Sequence, residues 1–207
     1  MTAKYFGDLF ADSPLMIILR GQPPREAVAL ANKAWDLGLT TVEVPVHVPE
    51  AVISLSAVVA ASRERGMKVG AGTVISLDQV RAVSEAGAAF TVSPGLDVAV
   101  AQTSIRAGMP HLPGVGSASE IQVALANGLI WVKAFPASAL GTSWFRAMRG
   151  PFPNLHIVAT GGIDMQNLAD FFAAGASAAG LGSVLNDPAS MDRLAEFIHA
   201  SRSDRNL

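Results

Sequence analysis

A (β/α)8 TIM barrel, as a single domain over 1–207, is the fold this sequence predicts, and three observations predict it. Short apolar segments alternate with longer segments of helical period, the pattern of repeated βα units on a parallel sheet. The alternation recurs eight times, which favours a closed barrel over an open sheet. No composition shift or low-complexity linker divides the 207 residues. That length is near the lower limit of ~200 for the architecture, so the connecting loops must be brief.

The first unit is a strand over 16–20 and a helix that opens at Pro23-Pro24, runs through Trp35 and stops at Gly38. Proline is preorganised for a first helical turn, and glycine for the left-handed residue that ends one. The second unit is a strand over 41–46 with a helix over 49–65. The third is a strand over 68–74 with a helix over 76–86, between the cap Ser76 and the stop Gly87. A strand over 89–93 precedes a helix through Arg106, and a strand over 109–113 precedes a helix over 117–127, where Ser117 and Glu120 have capping-box spacing. The last three units are strand 130–135 with helix 143–149, strand 156–160 with helix 165–174, and strand 178–181 with helix 191–201.

Hydrophobic residues make up 50% of the chain and charged residues 15%, against about 25% charged in typical soluble domains. Part of the surface is therefore expected to be buried against copies of the same chain. A net charge of −2 and a pI of 6.1 give no global reason to bind nucleic acid or an anionic membrane. The absence of cysteine excludes disulfides, thiolate metal sites and a cysteine nucleophile. The opening MTAKYFGDLFADSP has no long apolar core after a basic start. No later stretch runs ~18 residues without a charge or a Gly/Pro breaker, so a cytoplasmic protein is expected.

Lys133 lies inside the apolar run Ile130-Trp131-Val132-Lys133-Ala134-Phe135. Burial disfavours an ammonium, and a desolvated neutral amine attacks ketone carbons to form a Schiff base that draws electrons from the neighbouring C–C bond. The alternative is a strand-end lysine whose ammonium snorkels to water. Period-two alternation puts Trp131, Lys133 and Phe135 on the axis side and Ile130, Val132 and Ala134 toward the helices. In the second strand it puts Glu43, Pro45 and His47 on the axis side, so Glu43 and Lys133 share one interior. Arg20 ends the first strand beside Met16 and Ile18, and Thr73 ends the third with Val69 and Ala71, all read as axis-facing. Such a convergence of polar groups is costly to bury without purpose. Glu43 can equally be a structural ion-pair partner for Arg20 or Lys133, and His47 reads as a solvated loop residue.

Two glycine-rich turns suggest anion chemistry. Thr160-Gly161-Gly162 follows the seventh strand and Gly180-Leu181-Gly182-Ser183 the eighth, where many barrels bind phosphate through backbone N–H groups. Either alone can be a tight turn without a ligand; together they favour a phosphorylated substrate. The glycines of GAGTV at 70–74 can simply relieve crowding in the interior.

In order, MIILRG, VEVPVHVPE, VGAGTV, FTVSPGLD, LPGVGSASE, VKAFPAS, ATGGI and GLGS span Met16 to Ser183. The set resembles the class I aldolases that cleave 2-keto-3-deoxy-6-phospho sugar acids. The resemblance implies a (β/α)8 barrel, commonly assembled as a homotrimer, that uses no metal or organic cofactor. By matching motif it implies Lys133 as the Schiff-base lysine and Glu43 as the general acid/base. It also implies Arg20 and Thr73 as substrate-holding residues, and Gly162 with Ser183 as the phosphate site. ILRG, EVPVHVPE and FPASALG resemble the 2-dehydro-3-deoxy-6-phosphogalactonate branch, whereas SPGLD and LPGVGSASE are more similar to the phosphogluconate branch. His47 stands where the first branch tends to have Asn, and the second branch tends to have Arg in the same segment. The expected reaction yields pyruvate and glyceraldehyde 3-phosphate. The alternatives are the phosphogluconate epimer, 4-hydroxy-2-oxoglutarate, or a non-catalytic barrel that binds a phosphorylated ligand.

Overall fold

The computed structural model describes residues 2–203; Met1 and 204–207, included in the single-domain expectation, lie outside them. Among the described residues nine strand segments form one all-parallel sheet: β1 Leu15–Ile18, β2 Thr41–Pro45, β3 Lys68–Gly72, β4 Phe90–Val92, β5 His111–Leu112, β6 Gly114–Val115, β7 Trp131–Ala134, β8 His156–Thr160 and β9 Ala178–Leu181. Their order is β5-β4-β3-β2-β1-β9-β8-β7-β6. The two ends of that order, β5 and β6, are consecutive in the chain, so the ring closes with eight barrel strands. The fifth is split because Pro113 has no N–H to give the ladder. Pro113 still contributes its carbonyl, which accepts from Lys133 N–H at 2.8 Å.

Nine helices accompany the strands among the described residues: α1 Thr2–Ala11, α2 Pro24–Asp36, α3 Ala51–Arg63, α4 Leu77–Glu85, α5 Val98–Arg106, α6 Ala118–Ala126, α7 Ala137–Arg149, α8 Leu168–Ala173 and α9 Pro188–Ser203. The expected caps form: Ser76 accepts from Gln79 N–H, and Ser117 from Glu120 N–H. Helix α7 starts six residues before the expected 143–149 and is interrupted at Gly141, whose φ of 73° breaks the helical geometry. No helix among the described residues is long and apolar enough to cross a membrane.

Helix α1 is absent from the sequence expectation. It stoppers the base of the barrel, where Phe6 and Phe10 pack with Met16, Phe90, Leu112 and Trp131. Phe10 stacks on Trp131 at 5.4 Å between ring centroids, and Trp131 on His156 at 4.5 Å. Ile130 also packs against this base cluster and not toward the helices, since the strand begins only at Trp131.

A second layer lies between barrel and helices and contains Val42, Val44, Val132 and Ala134, as alternation predicts. It also contains Val69 and Ala71, which corrects the expectation for the third strand. The interior positions of β3 are Gly70 and Gly72. A Cβ on Gly70 would fall 2.2 Å from the Phe90 ring, so glycine makes room there for the base cluster. In this outer layer a polar group is also buried: Thr91 Oγ1 lies 2.7 Å from His111 Nδ1 and 2.6 Å from Ser104 Oγ, and Ser104 donates to the Met109 carbonyl at 2.9 Å. His111 Nε2 has no partner among the described residues.

Candidate active site

Glu43 comes from β2 and Lys133 from β7, which are four steps apart around an eight-strand ring and hence opposite each other across the axis. Both are almost wholly withdrawn from solvent, at 1% and 3% exposure. A Cβ on Gly72 would fall 1.7 Å from Glu43 Oε1, so the second glycine of GAGTV creates the space that the carboxyl group occupies. Lys133 Nζ lies 4.9 Å from the centre of the Phe135 ring.

Burial dominates the electrostatics of both groups. It pushes the Lys133 amine below the ordinary lysine range; the Glu43 carboxylate opposes this, and the Arg20 guanidinium reinforces it. Burial likewise pushes Glu43 above the usual carboxylate range, against the attraction of Lys133 and Arg20. Both shifts favour the neutral forms, a nucleophilic amine and a carboxylic acid able to donate a proton. No ion pair within 4 Å joins the two among the described residues, and Glu43 Oε2 is buried without a hydrogen-bond partner. A buried, unmatched carboxyl oxygen costs stability, and a bound polar molecule relieves it.

The other expected residues all follow the carboxyl ends of strands, the catalytic face of this fold. Arg20 lies two residues past β1, exposed, with its charge acting on both buried groups. Thr73 follows β3 with a left-handed φ of 59°, costly for a β-branched residue and typical of functional sites. Around it, Val74 N–H donates to the Val92 carbonyl and Ile75 N–H to Gln79 Oε1. Gly162 follows β8 with φ 73°, and a Cβ there would lie 2.2 Å from Ser138 Oγ. Ser183 is exposed after β9, at the start of a 3-10 turn over Val184–Asn186. The side chains of Thr73 and Ser183 make no hydrogen bond among the described residues. His47 is exposed, as expected, and borders an apolar groove of about 430 Å³ with Gly21, Pro45, Val48 and Ile53. The structure thus couples Glu43, Lys133 and Arg20 through their charges and arrays Thr73, Gly162 and Ser183 on the rim.

One interior residue escaped the sequence reading. Thr160 is 2% exposed, its Oγ1 has no hydrogen-bond partner among the described residues, and a Cβ on Gly180 would lie 3.1 Å from that oxygen. The available signal was alternation from Val158, a member of the base cluster, which puts Thr160 on the same interior face. Its position beside the two glycines made it read as part of a turn. Among the described residues no cluster of three or more His, Cys, Asp or Glu is disposed to hold a metal.

A (β/α)8 barrel whose interior holds a buried lysine across from a buried carboxyl group suits the chemistry of a Schiff-base carbon–carbon lyase. The sequence profile described as KDPG and KHG aldolase matches residues 8–196. The chain belongs to that family. It is 37% identical over 178 residues to a probable 2-dehydro-3-deoxy-6-phosphogalactonate aldolase of Rhizobium meliloti (strain 1021), covering 86% of this chain and 84% of the relative. A solved structure described as native KDPGal superposes with a TM-score of 0.81 at 34% identity, over 94% of this chain and 97% of that one. KDPG aldolase from Legionella pneumophila, with pyruvate captured as a covalent carbinolamine, gives a TM-score of 0.79 at 30% identity over 93% of both chains.

Proposed function

We propose that this aldolase cleaves 2-dehydro-3-deoxy-6-phospho-D-galactonate to pyruvate and D-glyceraldehyde 3-phosphate, as a single catalytic domain without metal or organic cofactor. The observation that carries the reading is Lys133, buried and held toward its neutral form in the same interior as Glu43. The amine attacks C2 of the keto acid, and the carbinolamine loses water to form an iminium ion, with Glu43 supplying and removing the protons. Glu43, through water, then accepts the C4 hydroxyl proton. The C3–C4 bond breaks, its electron pair enters the iminium to give an enamine, and the aldehyde departs. Protonation of the enamine at C3 and hydrolysis of the resulting pyruvate imine free the lysine.

Arg20 and Thr73 hold the anionic and hydroxyl groups near C1, and the orphaned Thr160 hydroxyl takes a further polar atom of the substrate. Gly162 N–H and Ser183 bind the phosphate. Charge-assisted hydrogen bonds of this kind are worth roughly 1.5 to 3 kcal/mol each. Borohydride added with pyruvate should fix a mass increment on the peptide containing Lys133; labelling on another peptide, or none, refutes the mechanism.

The segments SPGLD and LPGVGSASE favour a second reading, the phosphogluconate epimer. Comparison of kcat/KM for the two epimers decides between them.

The same reading has the enzyme act in the cytoplasm as a homotrimer. Phosphorylated sugar acids are polyanions that do not cross bilayers, so the enzyme works where they are made. Val48, Ile53, Ile75 and Leu77 leave 42–63% of their surface exposed around the loops after β2 and β3, and suit contact with a second copy. Light scattering should give three times the chain mass; a monomer at micromolar concentration excludes the assembly.

A further inference from the structure

The turn Gly161-Gly162-Ile163 has no regular secondary structure to hold it, yet one side chain pins its backbone. Asn167 Nδ2 donates to the Gly162 carbonyl at 2.9 Å, and Oδ1 of the same amide accepts from Asp164 N–H at 3.1 Å. Asp164 Oδ1 in turn accepts from the N–H groups of Gln166 and Asn167, at 2.8 and 3.0 Å. The turn is thereby tied into a small network just ahead of α8.

A trans peptide unit is planar, with its C=O and N–H on opposite sides. A Gly162 carbonyl fixed on Asn167 therefore holds the Ile163 N–H pointing away from Asn167. Neither the Gly162 nor the Ile163 N–H has a hydrogen-bond partner among the described residues. On the other side, Ser138 fills the space that a Gly162 side chain would need, and Ser138 N–H donates to the Gly161 carbonyl at 3.0 Å. Packing fixes one edge of the glycine turn and a single amide fixes the other. Removing that amide frees the Gly162 carbonyl edge, where glycine torsions offer little resistance of their own, while Ser138 still holds the other edge.

We propose that Asn167 is a positioning residue for the phosphate end of the substrate, because its amide fixes the Gly162 peptide and so presents the turn's unpaired N–H groups to an anion. This inference rests on the reading of Gly162 as a phosphate contact. The test compares wild type and Asn167→Ala with the phosphorylated keto acid and with 4-hydroxy-2-oxoglutarate, which has no phosphate. The variant should raise KM for the phosphorylated substrate ~10-fold with kcat essentially unchanged, and leave both constants for the unphosphorylated one unmoved. Inorganic phosphate should compete with the phosphorylated substrate ~10-fold more weakly in the variant. Borohydride trapping of pyruvate on Lys133 reports that the variant is folded with its amine intact.

Equal losses on both substrates, or no change on either, overturn the role of Asn167. A wild type that neither prefers the phosphorylated substrate nor binds phosphate overturns the underlying reading, and Asn167 loses its role with it. A wild type that discriminates while Asn167→Ala discriminates equally well overturns this inference alone.

Discussion

Gly72 and Glu43 occupy adjacent strands so closely that a single methyl group on the glycine would lie 1.7 Å from the carboxyl oxygen. The side-chain conformation of Glu43 therefore depends on the missing side chain of Gly72. Gly72→Ala should displace the carboxyl group and lower kcat ~10²-fold or more, in line with loss of a proton-transfer group. Overpacking should also cost about 1–3 kcal/mol of stability. Steady-state turnover and thermal melting check both; wild-type turnover would show that Glu43 is not confined by this contact.

Glu43→Gln keeps the shape of the side chain and removes its proton chemistry. Turnover should fall by ~10² to 10⁴ while borohydride still traps pyruvate on Lys133, because the amine stays buried. Full activity in this variant would relegate Glu43 to a structural role.

Ser183→Ala should raise KM for phosphorylated substrate by ~10-fold and leave an unphosphorylated analogue nearly unaffected. A uniform change for both compounds would move the phosphate site elsewhere on the rim.

His111 links stability to pH. Burial holds its imidazole at about 4, with the Asp97 charge opposing the shift, against an ordinary 6.5. The unfolded chain takes up this proton below pH 6.5 and the folded chain only near pH 4. The contribution is therefore complete above pH 6.5 and lost as pH falls toward 4, at about 1.4 kcal/mol per unit and on the order of 3 kcal/mol in all. Urea unfolding at pH 7.5, 6.5 and 5.5 should reveal the slope, and His111→Asn should flatten it. A slope unchanged in the variant would assign the pH dependence to other groups.

The placement of the two buried charged residues was legible in the sequence because VEVP and WVKAF alternate cleanly, and alternation on two strands of one barrel forces Glu43 and Lys133 into one interior. The third strand misled for a specific reason. Its interior positions are Gly70 and Gly72, while Val69 and Ala71 supply the outer layer. Thr73 has the left-handed conformation, so counting backward in twos from it gives the wrong face. The split of the fifth strand was written in Pro113 but was read as the end of that strand. Helix α1 has no paired strand to announce it; its apolar face makes sense only once there is an open barrel base to fill.

That filled base has a kinetic consequence. A barrel plugged at one end is a blind well with a single mouth, at the carboxyl ends of its strands. On the proposed mechanism pyruvate stays bonded to Lys133 after the C–C bond breaks, so the aldehyde has to leave through that mouth first and pyruvate last.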